Sequence, residues 1–457
     1  MTSNDLFARR NRRFLIPAFV LFLLACILFL RELSPPSFLP DRHYEHPPKP
    51  PFFDDNVIAT KTVTASPIVE TETMVSVPAV EPVAFVLIMW SLDSAVEGAL
   101  LMKSVLMYTS SPVEFHIICD STARLHIESR LSLVTNPRYQ ITVRFYEPSY
   151  QAMQDRIDRE GTIQSDHASG LPGLMKLLIH EILPPTVKKG IYVDTDAFFV
   201  SDPTLLWNTF SHLKDTTAVV IPSHPDQEAE IWNQASRICS CVMLLDLEKL
   251  RELRLIDSSI YRNDPDPSSP TALSPAAFKA MYGTPSSGKY HNVRLGDQGY
   301  WWAITSHRKD IWEPLSFDFE VTSCIMMMYK TGLGDDDISL QEEYTKHIYV
   351  PNTPQDGHTV LPKLLHFNCL EGTDIYMEWK GWSDPEDKLN QAWGPAVRYH
   401  NGYKWIWLNQ GIKQGIGIAG AAAPDHPSIV YPTVDMAVAK EVVFADELYA
   451  REHNIRF

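Results

Sequence analysis

The sequence predicts an α/β domain beginning near residue 82, and three observations lead there. Short runs rich in β-branched and aromatic residues recur along the chain with segments of helical spacing between them, the alternation that builds a sheet covered by helices. One run, VAFVLIMW at 83–90, is apolar throughout and reads as a strand buried on both faces. Another, GIYVDTD at 190–196, ends in two aspartates one residue apart, which an apolar strand has no packing reason to carry.

Taken in order, the chain begins with residues 1–13, whose RRNRR reads as a cytosolic tail, followed by FLIPAFVLFLLACILFL at 14–30. At ~1.5 Å per residue that run makes roughly 25 Å of helix, and the positive flank before it predicts a single-pass type II signal anchor with the bulk of the protein luminal. A cleaved signal peptide is the alternative, but no small-x-small site follows and the run exceeds a usual apolar region of that kind. So short an anchor suits the membrane of the Golgi or the endoplasmic reticulum. Residues 31–81 hold nine prolines and a threonine-rich second half, and read as a disordered stem, with or without O-linked glycans.

The domain spans 82–385. Ser94 and Glu97 read as a capping box opening the helix AVEGALLMKSVLMYT at 95–109. EFHIICD at 114–120 and QITVRFYE at 140–147 read as strands, and LPGLMKLLIHEIL at 171–183 as one helix stopped by Pro184 and Pro185. Further strands are expected at 217–224, 239–247 and 363–368, with loops at 264–275 and 331–343. Beyond about 384 the alternation fades, so 386–457 reads as a C-terminal extension; its GIGIAGAAA run at 415–423 has no assigned role.

The net charge of −16 excludes nucleic acid as a partner. Of six cysteines, Cys26 falls in the anchor and the other five show no zinc spacing; one or two disulfides are open, without a pairing.

Two carboxylates at i and i+2 leaving the carboxyl end of a strand can converge on one hard divalent cation, Mn²⁺ or Mg²⁺, completed by phosphate or diphosphate oxygens. Asp194 and Asp196 stand so. Two solvated aspartates at a strand end are the plain alternative. A phosphatase of the aspartyl-nucleophile type is another, although its motif opens the domain and here about a hundred residues of sheet precede it.

Six stretches in order, LLMKSVLMYTSSPVEFHIICD, MKLLIHEIL, IYVDTDAFFVSDPTLLW, SCVMLLDLEKLR, LGDQGYWW and LLHFNCLEG, give residues 83–385 a resemblance to glycosyltransferase family 8, closest to its xyloside and glucoside xylosyltransferases. The resemblance implies a GT-A fold with a Rossmann-like mixed sheet, a UDP-sugar donor, a glycan or glycoprotein acceptor, and retention of anomeric configuration. It implies Asp194, Asp196 and His366 as the metal set, and Lys176 near the donor phosphates. Asp297 and Gln298 match the family's DQD stretch, which implies Asp297 on the donor sugar and Gln298 beneath the anomeric carbon.

The chain also departs from the family. Cys239-Ser240-Cys241 stands where Asn-Ser-Gly is common, and Gly299 and Trp302 stand where DQDxxN has Asp and Asn. A catalytically silent relative that binds nucleotide-sugar or glycan as a scaffold is therefore the competing class. Eight of eleven tryptophans follow residue 300 and make an acceptor groove conceivable, with none assigned to it; His224 falls at a polar turn of the family.

Overall fold

The computed structural model describes residues 81–456 apart from 226, 267, 325, 327–359, 412–413, 416–428 and 431. The expected tail, anchor and stem, all but Glu81, lie outside the described residues, as do the loop at 331–343 and most of the 415–423 run. Among the described residues no helix is long and apolar enough to cross a membrane.

The strands are β1 (Val83–Met89), β2 (Val113–Cys119), β3 (Ile141–Tyr146), β4 (Lys189–Val193), β5 (Ala197–Phe199), β6 (Val219–Pro222), β7 (Val242–Asp246), β8 (Trp312–Leu315), β9 (Val321–Thr322), β10 (Leu364–His366), β11 (Gln414–Gly415), β12 (Ile429–Val430) and β13 (Val434–Val438). Eight form one sheet in the order β13-β3-β2-β1-β4-β7-β6-β8; β5-β10-β9 form a smaller sheet, and β11 pairs with β12. In the large sheet every neighbouring pair is parallel except the two that β7 makes. This is the mixed α/β sheet expected above.

Alternate residues of β1 serve the two faces of the sheet, as the period of a strand requires. Phe85, Leu87 and Met89 join one buried cluster with the helix Leu92–Tyr108, while Val86 joins the other with residues of 171–183 and of the helix Asp297–His307. Each fully buried Val, Leu or Phe contributes about 1.5–3 kcal/mol, so β1 is held from both sides. The order reverses between β1 and β4, so the crevice outside their carboxyl ends is a topological switch point. Asp194 follows β4 there.

Three expectations are corrected. The helix after β1 begins at Leu92, capped by Ser91: its Oγ accepts from Ser94 N at 3.1 Å, and Ser94 Oγ accepts from Ser91 N at 3.0 Å. Glu97 is not part of that box. It is buried one turn further in and accepts from the backbone N–H of Tyr376 at 2.8 Å. The expected helix at 171–183 is broken, with a 3₁₀ turn at Met175–Leu178 between two short α segments, and three residues per turn reset the facing of Lys176. The strand expected at 363–368 is present as β10, in the small sheet.

The third concerns 386–457, which is woven into the domain. β13 pairs parallel with β3, Val434 opposite Ile141, as the edge of the large sheet. Leu389, Trp393 and Val397 of the helix Lys388–Gly402 pack with Phe198, Leu365 and Phe367 of the small sheet and its flank. The helix Ala445–His453 is pinned by Asp446, whose carboxylate meets Arg159 at 2.7 and 2.9 Å and Ser258 Oγ at 2.7 Å. Residues 435–438 are exposed, which is why VDMAV carries no clean core pattern in the sequence.

Candidate active site

The two aspartates sit where the large sheet hands the chain to the small one. Asp194 N donates to Cys241 O at 2.8 Å, the last rung between β4 and β7, and the chain then turns into β5. β10 lies antiparallel against β5 with His366 opposite Ala197, and Phe367 N donates to Asp196 O at 2.8 Å. That pairing carries His366 to the aspartates: its Nε2 lies 3.4 Å from Asp196 Oδ1. One ligand atom each from Asp194, Asp196 and His366 lies within 4.8 Å of the others. Two carboxylate oxygens and an imidazole nitrogen are a donor set that suits Mn²⁺ or Mg²⁺ completed by phosphate oxygens.

The electrostatics follow the geometry. Burial opposes charge on Asp196, but the His366 imidazole outweighs it and holds the carboxyl below its usual range. Burial likewise disfavours a charged His366, yet Asp196 on one side and Glu320 on the other push it up to about 10. The ring thus carries a proton where a divalent cation would put its own charge, and binding one must release it.

Lys176 faces the same point. Its Nζ lies 2.7 Å from Asp194 Oδ1, 3.7 Å from Asp297 Oδ1 and 5.1 Å from the centre of the Tyr192 ring. Tyr192 donates its hydroxyl to Asp194 Oδ1 at 2.5 Å. Asp297 opens its helix after a sharp turn in which Leu295 and Gly296 have φ of 61° and 58°; for Leu295 that is a conformation costing about 1–3 kcal/mol, of the kind that clusters at functional sites. Burial pushes the Asp297 carboxyl up to about 6, against the pull of Lys176. Its Oδ2 is buried without a hydrogen-bond partner, an acceptor left for a ligand. Gln298 donates from Nε2 to Ala235 O at 2.9 Å and turns Oε1 toward Ser240 N at 3.4 Å, so its carbonyl is held in one orientation.

A cavity of about 490 Å³ joins these groups: Lys176, Asp194, Asp196, Asp297, Gln298 and His366 all line it. A second cavity, about 520 Å³, is lined by Pro184, Pro185, Val438 and Leu448 together with His180, Glu181, Arg251 and Arg451, and holds no group of side chains placed to bind a metal ion among the described residues. His224 lines the first cavity, with Nε2 2.8 Å from the buried Glu320. Of the tryptophans only Trp232 is among its described lining, and none of the eight after residue 300 is.

Cys239 and Cys241 are joined to each other in its wall, and Cys324 is joined to Cys369 beside His366, leaving Cys119 free and buried among the described residues. Both pairings went unassigned in the sequence. Cys239, Cys241, Glu320 and His366 also cluster closely enough to ligate, but sulfurs joined as a disulfide offer no thiolate. Tyr192 and Glu320 were missed as site residues. Tyr192 was findable, because two residues before Asp194 on a strand puts it on the same face; Glu320 lies in a stretch without periodic signal.

A cleft of convergent charge at the carboxyl ends of parallel strands is the arrangement of an α/β enzyme site. Residues 90–263 match the model of the family described as Glycosyl transferase family 8. The chain is 35% identical over 127 residues to Xylosyl- and glucuronyltransferase LARGE2 of Mus musculus, which is 28% of this chain and 17% of that protein. Xylosyl- and glucuronyltransferase LARGE1 of Homo sapiens is 30% identical over 164 residues, 34% of this chain and 21% of that one. The chain thus spans about a fifth of the length of these curated relatives. Among solved structures, mouse xyloside xylosyltransferase 1 aligns at TM-score 0.42 and 15% identity, over 64% of this chain and 100% of that one. Galactosyltransferase LgtC in complex with donor and acceptor sugar analogs aligns at 0.43 and 13%, over 70% and 95%. Both alignments are too loose to carry an argument.

Proposed function

We propose that the chain is a metal-dependent, retaining glycosyltransferase that moves a sugar from a UDP-sugar to a glycan or glycoprotein in the secretory pathway. The observation that carries this is the meeting of Asp194, Asp196 and His366 within 4.8 Å in one cavity with Lys176, Asp297 and Gln298. Asp194, Asp196 and His366 would hold the cation, Mn²⁺ or Mg²⁺, and Lys176 sets a half-buried positive charge where the diphosphate leaves. A bound divalent cation offsets the negative charge that develops on the departing UDP. Asp297, with Oδ2 unpartnered, accepts a hydroxyl of the donor sugar. The Gln298 carbonyl, held by Ala235, faces the anomeric carbon and stabilises positive charge there without trapping the sugar. The departing phosphate takes the proton of the incoming hydroxyl on the same face, which retains configuration.

The names of the curated relatives, with their xylosyl and glucuronyl transfer, support a sugar donor. Two disulfides support an oxidising compartment, and the 14–30 run, read as an anchor, supports the Golgi or endoplasmic reticulum membrane. One observation favours the silent relative: the Cys239–Cys241 bridge in the cavity wall, where the family has an amide and a glycine. Mn²⁺-dependent release of UDP from a panel of UDP-sugars by the purified chain tests the reading, with Asp196→Ala as control. Turnover lost in that variant supports transfer; retained UDP binding with no turnover of any donor favours the scaffold.

A further inference from the structure

Behind His366 stands a carboxylate to which neither the resemblance nor the proposed chemistry gives a role. Glu320 lies immediately before β9, whose parallel pairing with β10 sets His366 opposite Thr322. Its side chain is wholly buried, and its Oε1 lies 3.5 Å from His366 Nδ1. Its Oε2 lies 2.8 Å from Nε2 of His224, which is itself stacked on Phe317 at 5.1 Å. Cys241 Sγ is 3.7 Å from Oε1 but, joined to Cys239, has no proton to give. A buried carboxylate costs several kcal/mol unless paired, and two imidazoles are what pair this one.

We propose that Glu320 is a positioning residue: it accepts the Nδ1 proton of His366 and so fixes the tautomer and ring plane in which Nε2 presents its lone pair to Asp194 and Asp196. The inference rests on the metal reading above. Its chemical ground is that an imidazole has one donor and one acceptor nitrogen when neutral, and the partner of one decides which the other is. A ring free to place its proton on Nε2 is no ligand. A carboxylate behind a ligating histidine also raises the basicity of the ligating nitrogen, and losing such a partner costs roughly 10- to 100-fold in metal affinity. His224 in turn holds Glu320 from the side away from His366.

The test is Mn²⁺ titration of the purified full chain, followed by the free-ion electron paramagnetic resonance signal, with nitrogen modulation of the bound ion as the spectroscopic signature. The expected result is clear nitrogen coupling in the unmodified chain, and in Glu320→Ala an affinity lower by roughly 10- to 100-fold with that coupling lost. Glu320→Gln keeps an acceptor oxygen and the side-chain shape, so it should fold if Glu320→Ala does not; it should keep the coupling and lose less affinity. Unchanged affinity and coupling in folded Glu320→Gln and Glu320→Ala would overturn the role of Glu320 alone. No nitrogen coupling in the unmodified chain, with His366→Ala binding Mn²⁺ equally well, would overturn the metal reading together with this one.

Discussion

Lys176 Nζ lies 2.7 Å from Asp194 Oδ1, a half-buried cation set against the first carboxylate of the strand-end pair. It also lies 3.7 Å from Asp297 Oδ1, whose carboxyl it pulls down while burial pushes it up. In Lys176→Met the diphosphate loses a charged donor, worth about 1.5–3 kcal/mol, or roughly 10- to 150-fold in affinity. Calorimetric titration with UDP and Mn²⁺ reads this directly. An affinity within a factor of two of the unmodified chain would remove Lys176 from the donor site.

Gly299 departs from the family's DQD, and the fold gives the reason. A Cβ there would stand 2.4 Å from Arg294 O and 2.7 Å from Val293 Cγ1, inside the sharp turn that presents Asp297. Restoring the family's aspartate is therefore expected to harm the protein: Gly299→Asp should lose about 1–3 kcal/mol of stability or more, and with it the placement of Gln298. Urea denaturation measures the loss; a variant as stable as the parent would show that the turn can relax.

Burial raises the Glu97 carboxyl to about 8, while the hydrogen bond from Tyr376 N pulls the other way. A carboxyl whose folded pKa lies above its unfolded value holds its proton more tightly when folded. Its stabilising share is complete below about pH 4.5 and is lost as pH rises through 8. Glu97→Gln keeps the acceptor for Tyr376 N and removes the titration. It should melt at a higher temperature than the parent at pH 8.5 and near the same temperature at pH 4.5. Equal melting curves at pH 8.5 would contradict the assignment.

Arg156 is fully buried between Glu181, at 2.6 Å, and Asp446, at 3.4 Å. Removing one partner of a buried ion network strands the other charge and costs about 3–5 kcal/mol. Asp446→Ala should lose that much in denaturant unfolding, and truncation before residue 434 should leave both this network and the β3 edge unpaired. A soluble, equally stable truncated chain would return 386–457 to the status of an appendage.

The legible parts of this molecule are those whose signal is local. β1, β2, β3 and the helix after β1 stand out because buried strands and a largely apolar helix write their signal into six to seventeen neighbouring residues. The capping box was misplaced by one turn because Ser91 and Ser94 are equivalent in type, and only the end of β1 at Met89 decides between them. β13 escaped notice because an exposed edge strand needs no apolar alternation. Glu320 escaped because a buried carboxylate looks like a surface one until its partners are known.

By itself, then, the sequence determined the α/β class, the strand that delivers Asp194 and Asp196 to its carboxyl end, and, through resemblance, the remaining candidates of the site. Only the tertiary structure decided that His366 reaches the aspartates, that Glu320 backs it, that Lys176 stands between two carboxylates, and that the last seventy residues complete the sheet. The physical reason is range: periodicity and turn chemistry act between neighbours in the chain, whereas the pairing of β10 with β5 and of β13 with β3 joins segments far apart, whose contacts exist only once the chain has closed on itself.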